Sequence, residues 1–336
     1  MVGVETRTDV QSSGETRIGG TPVEAELEQY RRELTGYCYR MLGSGFEAED
    51  AVQETMVRAW KNADRLTARP ALRSWLYRIA TNVCLDMLDG SQRRARPMDL
   101  GPSSTADSVL APGLPETTWI QPVADAQVLP DGGDPAELAA ARETVRLAFV
   151  AALQHLPARQ RAVLILREVL RWQASEVAEL LDTSVASVNS ALQRARATID
   201  AMDLDADGTT AIGDDQQELL SRYVDAFERY DVTELVSLLH DDATFSMPPH
   251  PLWLRGPDQV AGWLLGQGLG CRGSKVITTA ANGGFAYASY KPAGPGVHEA
   301  FALALVEVRG ERISGIHNFL YPELFTAFGL PTRLED

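Results

Sequence analysis

Apolar residues in the first third of the chain recur at three- and four-residue steps, the period of helices with one packed face. Leu27, Tyr30, Leu34, Tyr37, Cys38, Met41 and Leu42 make one stripe, closed by Gly43 and Gly45. FEAEDAVQETMVRAWKNADRL follows, with Ala51, Val52, Thr55, Met56, Ala59 and Trp60 as burial candidates and Asp50, Gln53, Glu54 and Arg58 turned outward. LTARPA breaks the pattern, with Pro70 near the first turn of the next helix. That helix, within Ala71–Arg96, carries Leu72, Trp75, Leu76, Ile79, Val83 and Met87 on its stripe. Arg73, Arg78 and Asn82 fall off it, and the stretch closes on Arg93, Arg94 and Arg96. Such a donor-rich face suits a phosphate chain and unstacked bases, and a solvated arginine face has the same composition.

Periodicity then stops. Residues 97–136 hold Pro97, Pro102, Pro112, Pro115, Pro122, Pro130 and Pro135 among Gly, Ser, Thr and acids, which predicts a long extended linker. Helical spacing returns from about 136 to 201. SEVAELLDTSVASVNSALQRARATI reads as a helix, a break at Asp182–Ser184 and a second helix, with Ala178, Leu181, Val185, Val188 and Leu192 as core. Asn189, Ser190, Gln193, Arg194 and Arg196 lie on or near the opposite side. This is a helix-turn-helix pattern, whose second helix enters a major groove.

After a second acidic linker at Asp203–Asp215, ELLSRYVDAFERYDVTELVSLLH predicts two helices with Leu220, Tyr223, Val224 and Phe227 inward. ATFSM, KVITTAA, GFAYASYK and EAFALALVEVRGERISGIHNFL alternate as strands do. Helices followed by an antiparallel sheet predict an α+β cone with an interior pocket. The expected organisation is therefore multidomain. A disordered tail (1–23) precedes an all-α domain (24–96), and an acidic Pro-rich linker (97–135) leads to a second all-α domain (136–201). A second linker (202–216) leads to an α+β domain (217–336).

The chain has 336 residues, 45% hydrophobic and 23% charged, the composition of a globular protein of two or three domains. No apolar run approaches a membrane span, and the first twenty residues lack the apolar core of a signal peptide. Cys38, Cys84 and Cys271 form no Cys-x-x-Cys pair, so neither a disulfide framework nor a zinc site is indicated, and a reducing cytoplasm is expected. The net charge of −15 is unevenly spread. Residues 58–96 carry nine basic against three acidic side chains, a local +6, and residues 97–138 hold seven acids with no Lys or Arg. From 201 onward nineteen acids face nine bases, a local −10. One part can face nucleic acid while another repels it.

EAEDAVQETMVRAW, SWLYRIATNVCLD and LPARQRAVLILREVLRWQASEVAELLDTSVASVNSALQRARATI resemble regions 2 and 4 of an extracytoplasmic-function (ECF) sigma factor, the small form of the bacterial RNA polymerase specificity subunit. SMPPHPLWLRG, AANGG and LFTAFGLP resemble the SnoaL-like domain, which shares the ketosteroid-isomerase cone. The resemblance implies a cytoplasmic protein whose partners are core polymerase and promoter DNA, with no catalytic residue, metal or cofactor, and with an anti-sigma factor or a small ligand as open alternatives. It implies that Asp50, Gln53, Glu54 and Arg58 dock on the β′ clamp helices. Leu66–Ala71, including Arg69, corresponds to the loop that captures a flipped base of the −10 element. Trp75 and Asn82 match positions near the melted strand, with Arg78, Arg93, Arg94 and Arg96 on phosphates. Ser187, Asn189, Ser190, Gln193, Arg194 and Arg196 fall in the helix that reads the −35 element. The family often has a basic run directly after the region-2 helix, whereas here Asp89-Gly90-Ser91-Gln92 intervenes. The acidic linker matches the segment that threads the polymerase cleft, and a plain spacer has the same composition.

Two rival readings remain. An isomerase or cyclase of the cone needs a carboxylate facing an oxyanion-stabilising pair. His240, Asp241, Asp242, His250, Asp258, His298 and His317 offer acids and bases, and His250, Trp253, Trp263 and His317 are candidates for a ligand pocket. A helix-turn-helix regulator with a ligand-binding domain explains the second helical block but leaves residues 24–96 unexplained.

Overall fold

The computed structural model describes residues 17–18, 21–63, 71–202 and 214–335. Residues 66–70 of the expected base-capturing loop, Arg69 among them, lie outside the described residues, as do most of the expected tail and the stretch 203–213.

A short β1 (Arg17–Ile18) and β2 (Thr21–Pro22) pair precedes four helices: α1 (Val23–Glu28), α2 (Arg31–Leu42), α3 (Gly45–Lys61) and α4 (Leu72–Leu88). Gly43, at φ 74°, ends α2 with its N–H on Tyr39 O. Ser44 caps α3 by accepting the Glu47 N–H. A left-handed glycine followed by a serine cap lets α3 double back on α2 within two residues.

The Pro-rich stretch departs from the expected free spacer. It contains α5 (Pro97–Leu100), a 3₁₀ turn at Glu116–Thr118 and α6 (Asp125–Val128), and it buries Trp119, Ile120, Gln121, Val123, Val128 and Leu129. No period reveals this packing, because each apolar residue enters its own site from an extended backbone. Next come α7 (Pro135–Glu143), α8 (Leu147–Gln154), α9 (Ala158–Leu164) with a π turn at Ile165–Val169, α10 (Ala174–Leu180) and α11 (Val185–Asp200).

The third unit has α12 (Asp214–Arg229), α13 (Val232–Ser237), β3 (Leu239–Ser246), β4 (Trp253–Arg255), α14 (Pro257–Leu265), β5 (Lys275–Ala281), β6 (Gly284–Gly294), β7 (Val297–Arg309), β8 (Arg312–Phe319), α15 (Glu323–Ala327) and β9 (Arg333–Glu335). The sheet order is β4-β3-β8-β7-β6-β5, with β9 on β7; β3 and β8 run parallel and the remaining pairs antiparallel. Alternate residues of these strands serve two cores. Tyr287, Ala304, Val306 and Ile316 pack with α12–α14. Ala286, Ala288, Leu303, Leu305 and Phe319 join the core formed by α2–α4 and α8–α11. With both faces covered, the sheet forms the middle layer of the molecule, and the helical units share one contiguous core through it. Burying one such Leu or Phe contributes about 1.5–3 kcal/mol, so the shared seam is a stabilising contact. Among the described residues, no helix is long and apolar enough to cross a membrane.

Candidate promoter and polymerase interface

Helix α11 is set on the molecule by its cap and its apolar stripe. Ser184 Oγ accepts the Ser187 N–H at 3.1 Å, and Asp182, at φ 50°, supplies the sharp turn out of α10. Val188, Leu192 and Ala195 are buried, which turns Ser187, Asn189, Ser190, Gln193, Arg194 and Arg196 outward. Arg194 donates to Ser190 Oγ at 2.7 Å, and Arg196 to Glu168 Oε1 at 2.6 Å. Val185, expected in the core, is instead 43% exposed at the first turn of α11.

Helix α4 buries Leu72, Leu76 and Val83 as its stripe implies, with Trp75, Ile79 and Met87 partly buried. Tyr77, Thr81 and Cys84 are buried as well, a second stripe on α4 beside the expected one. Tyr37 and Thr81 hydroxyls meet at 2.7 Å. The outward face carries Arg73, Arg78 and Asn82. It is partly covered by the second helical unit, since Arg78 donates to Glu179 O at 3.2 Å. Arg73 pairs with Glu33, and its guanidinium stacks over the Tyr77 and Trp172 rings at 5.4 Å. Tyr77 and Trp172 themselves meet edge to face at 5.0 Å.

The three arginines after α4 have different fates. Arg93 is exposed, with Nη1 2.5 Å from His155 Nδ1. Burial, then the charge of Arg93, pulls the His155 imidazole below its ordinary value. Arg94 is only 6% exposed: it pairs with Glu47 at 2.5 Å and donates to Glu116 O and Trp119 O. It thus fastens the linker to α3 and is not placed on a phosphate, because desolvated partners use its donors. Arg96 pairs with Asp99 at 3.3 Å.

On α3, Asp50, Gln53 and Glu54 are exposed, and Arg58 is partly exposed, bonded to Glu54 at 2.7 Å. Trp60, expected to be buried, is 54% exposed, and Val57 beside it is also exposed. The apolar pair borders the polar strip, where sequence periodicity alone placed Trp60 inside.

In the third unit the four pocket candidates separate. Trp263 is buried in one cluster with Tyr223, Phe227, Met247 and Tyr287. His250 Nδ1 meets Ala111 O at 2.7 Å, and Trp253 Nε1 donates to Gly101 O at 2.9 Å. Both therefore hold the linker. His317 lies on the opposite face of the sheet, because β-strand alternation puts it with Leu305 and Ser246 rather than with Ile316. There its Nδ1 meets Ser246 Oγ at 2.9 Å and its Nε2 faces Glu307 at 3.3 Å. Burial alone would raise the Glu307 carboxyl, but His317, Arg96 and Arg146 outweigh it and hold it down to about 2. His240 and Asp242 pair with Arg309 at an edge, and Asp258 is exposed, so the candidate acids and bases do not converge. Among the described residues no group of three or more His, Cys, Asp or Glu is placed to hold a metal ion.

A joint that the sequence did not single out for this role lies at the β5–β6 turn. Asn282, at φ 54°, is buried, and its Nδ2 donates to Tyr39 Oη at 2.6 Å and Val145 O at 2.7 Å. Its Oδ1 accepts the Val123 N–H, and Gly283 N–H donates to Asp125 at 2.7 Å. One residue thereby ties the sheet to α2, the linker and the start of α8. Asparagine tolerates the left-handed backbone that this turn requires.

Comparison with known proteins assigns these units. Residues 27–94 match the Sigma-70 region 2 family, residues 146–199 Sigma-70 region 4, and residues 220–316 the SnoaL-like domain. The chain is 43% identical over 314 residues to the ECF RNA polymerase sigma factor SigG of Mycobacterium tuberculosis, covering 92% of this chain and 84% of that one. It is 28% identical over 323 residues to SigJ of the same species, covering 92% and 95%. The crystal structure of SigJ superposes with a TM-score of 0.59 at 26% identity, over 92% of this chain and 99% of that one. With both DNA-reading units and the appended cone matched across nearly the whole length, the chain belongs to the ECF RNA polymerase sigma factors that carry a C-terminal SnoaL-like domain.

Proposed function

We propose that this sigma factor directs initiation by reading the −35 element with α11 and the −10 element with α4, after docking α3 on the β′ clamp helices of core polymerase. The observation that carries this reading is the orientation of α11: six polar side chains outward, three apolar ones inward, and a serine cap holding the helix end. Asn189 and Gln193 suit adenine, and Arg194 suits guanine. On α4, Trp75, Arg78 and Asn82 face the melted strand, with Arg93 and Arg96 toward phosphates. On α3, Asp50, Gln53, Glu54 and Arg58, joined by Val57 and Trp60, form the polymerase contact. Arg69 belongs to the base-capturing loop.

The SnoaL-like domain acts as a built-in regulator. Asn282 and the sheet face hold regions 2 and 4 together in a form whose α4 face is partly covered by α10. Electrostatics acts in the same direction, because an acidic domain tethered directly behind the recognition helix opposes phosphate approach. A ligand-holding role for the cone has less support, since Trp263 is buried with Tyr223, Phe227 and Tyr287 while His250, Trp253 and His317 bond elsewhere. The test is Arg194→Ala in promoter binding by the polymerase complex. The expected loss is about 1–3 kcal/mol, with relaxed preference at one −35 base pair. A uniform loss over all base substitutions makes Arg194 a phosphate contact and removes it from base reading.

A further inference from the structure

Regions 2 and 4 and the linker meet at a cleft of about 320 Å³ whose lining shares only Arg93 with the proposed interfaces. Its walls come from the end of α4 and the turn after it (Arg93, Arg94), from Glu47 on α3, from Thr117 on the linker, and from Gln154 and Arg161 across α8 and α9. Three guanidinium groups and one carboxylate line it. Glu47 is committed to Arg94 at 2.5 Å. The other two cations have no carboxylate partner in the cleft.

Arg161 is the more telling of them. It is 5% exposed, and its Nη groups donate only to neutral oxygens: Met41 O, Gln154 Oε1, Gln154 O and Leu156 O. Its Nε–H has no acceptor. A buried cation satisfied only by carbonyls keeps a large uncompensated desolvation cost. Arg93, by contrast, is exposed, and its partner His155 supplies no negative charge. Two unmatched guanidiniums, a hydroxyl from Thr117 and a net lining charge of +2 suit a compact dianion better than a single carboxylate, since a guanidinium fork and a phosphate oxygen pair are geometrically matched.

We infer that this cleft binds a small phosphate-bearing molecule, held by Arg93 and by the field of Arg161. Such a ligand touches region 2, the linker and region 4 at once, so it favours the state in which they are packed together. It also occupies Arg93, one of the proposed promoter contacts. This regulatory consequence rests on the proposed function, whereas the binding does not.

Isothermal titration of the full chain with inorganic pyrophosphate, at constant ionic strength and without polymerase or DNA, isolates the binding. A saturable one-to-one isotherm is expected. Arg93→Glu, and independently Arg93→Gln, should weaken it roughly tenfold or more. Arg229→Glu, an exposed change on α12, should leave it within about twofold, the size of an untouched contact. Absence of saturation into the millimolar range, or equal weakening by Arg93→Gln and Arg229→Glu, overturns the site. A promoter-binding experiment that failed while this isotherm persisted would count against the proposed interfaces and not against the cleft.

Discussion

Arginines in this chain do three different jobs, and burial sorts them. Arg194 and Arg93 keep their donors in reach of solvent, Arg94 spends its own on the seam between linker and helices, and Arg161 joins α9 to α2 and α8. The same sorting applies to acids. Glu307, held down to about 2 by His317, Arg96 and Arg146 against the opposing effect of burial, belongs to the sheet face that meets the sigma helices. Its folded-state value lies below the ordinary 4.5, so its contribution is complete above that value and is lost as pH falls from about 4.5 toward 2. The whole difference is worth at most roughly 3 kcal/mol. Glu307→Gln should therefore lower thermal stability at neutral pH and flatten the acid limb between pH 4.5 and 2. An acid limb unchanged from wild type would show that the carboxylate does not couple to docking.

What was legible at this scale followed residue type. Polar side chains opposite an apolar stripe, such as Gln193 or Glu54, turn outward as the period requires. Apolar residues at helix ends escaped it: Trp60 and Val185 sit where a stripe continues in sequence but the partner surface has ended. His317 was misplaced for another reason. One step along a strand exchanges one face for the other, and chemistry-bearing residues say nothing about which face has the pocket.

Among the elements, the linker departs furthest from its composition. Residues 101–114 lie across the cone edge as a strap. Ser104 N–H donates to Trp253 O at 2.7 Å, Ala106 N–H to Gln259 Oε1 at 2.8 Å, and Leu114 N–H to Pro249 O at 2.9 Å. Leu110 packs on the cone core. Proline density marks the extended backbone correctly, but the partners are some 140–150 residues away in sequence, and no local pattern encodes them. If the linker enters the polymerase cleft on assembly, these bonds must break. Amides of Ser104, Ala106 and Leu114 should exchange slowly in the free chain and lose protection on binding core polymerase. Protection retained in the complex would mean that the strap stays on the cone. Helices, in contrast, were well marked: the Asp182–Ser184 break and the Gly43–Ser44 corner are written in the residues that make them, as a left-handed turn and a side-chain cap.

Across the whole molecule, the helical units and the sheet face share a core, and α4 touches α10 through Arg78 and Glu179. Promoter elements centred about 25 base pairs apart are separated by ~85 Å of duplex. No arrangement with α4 against α10 reads both at once. On the proposed assignment of α4 and α11, the described form is the closed, free state, which polymerase opens by outcompeting the Asn282 joint and the Trp172 stack. Inter-unit contacts of this kind were invisible in sequence, because each helix satisfies its own period whether or not its outer face is later covered. The direct measurement is the distance between donor and acceptor dyes at Ser91→Cys and Thr183→Cys, with Cys271 replaced by serine, before and after core polymerase is added. A short distance is expected in the free chain, and an increase of several tens of ångströms in the complex, as the ~85 Å promoter spacing demands. The same short distance in an active complex would show that the closed form itself initiates transcription and that no opening occurs.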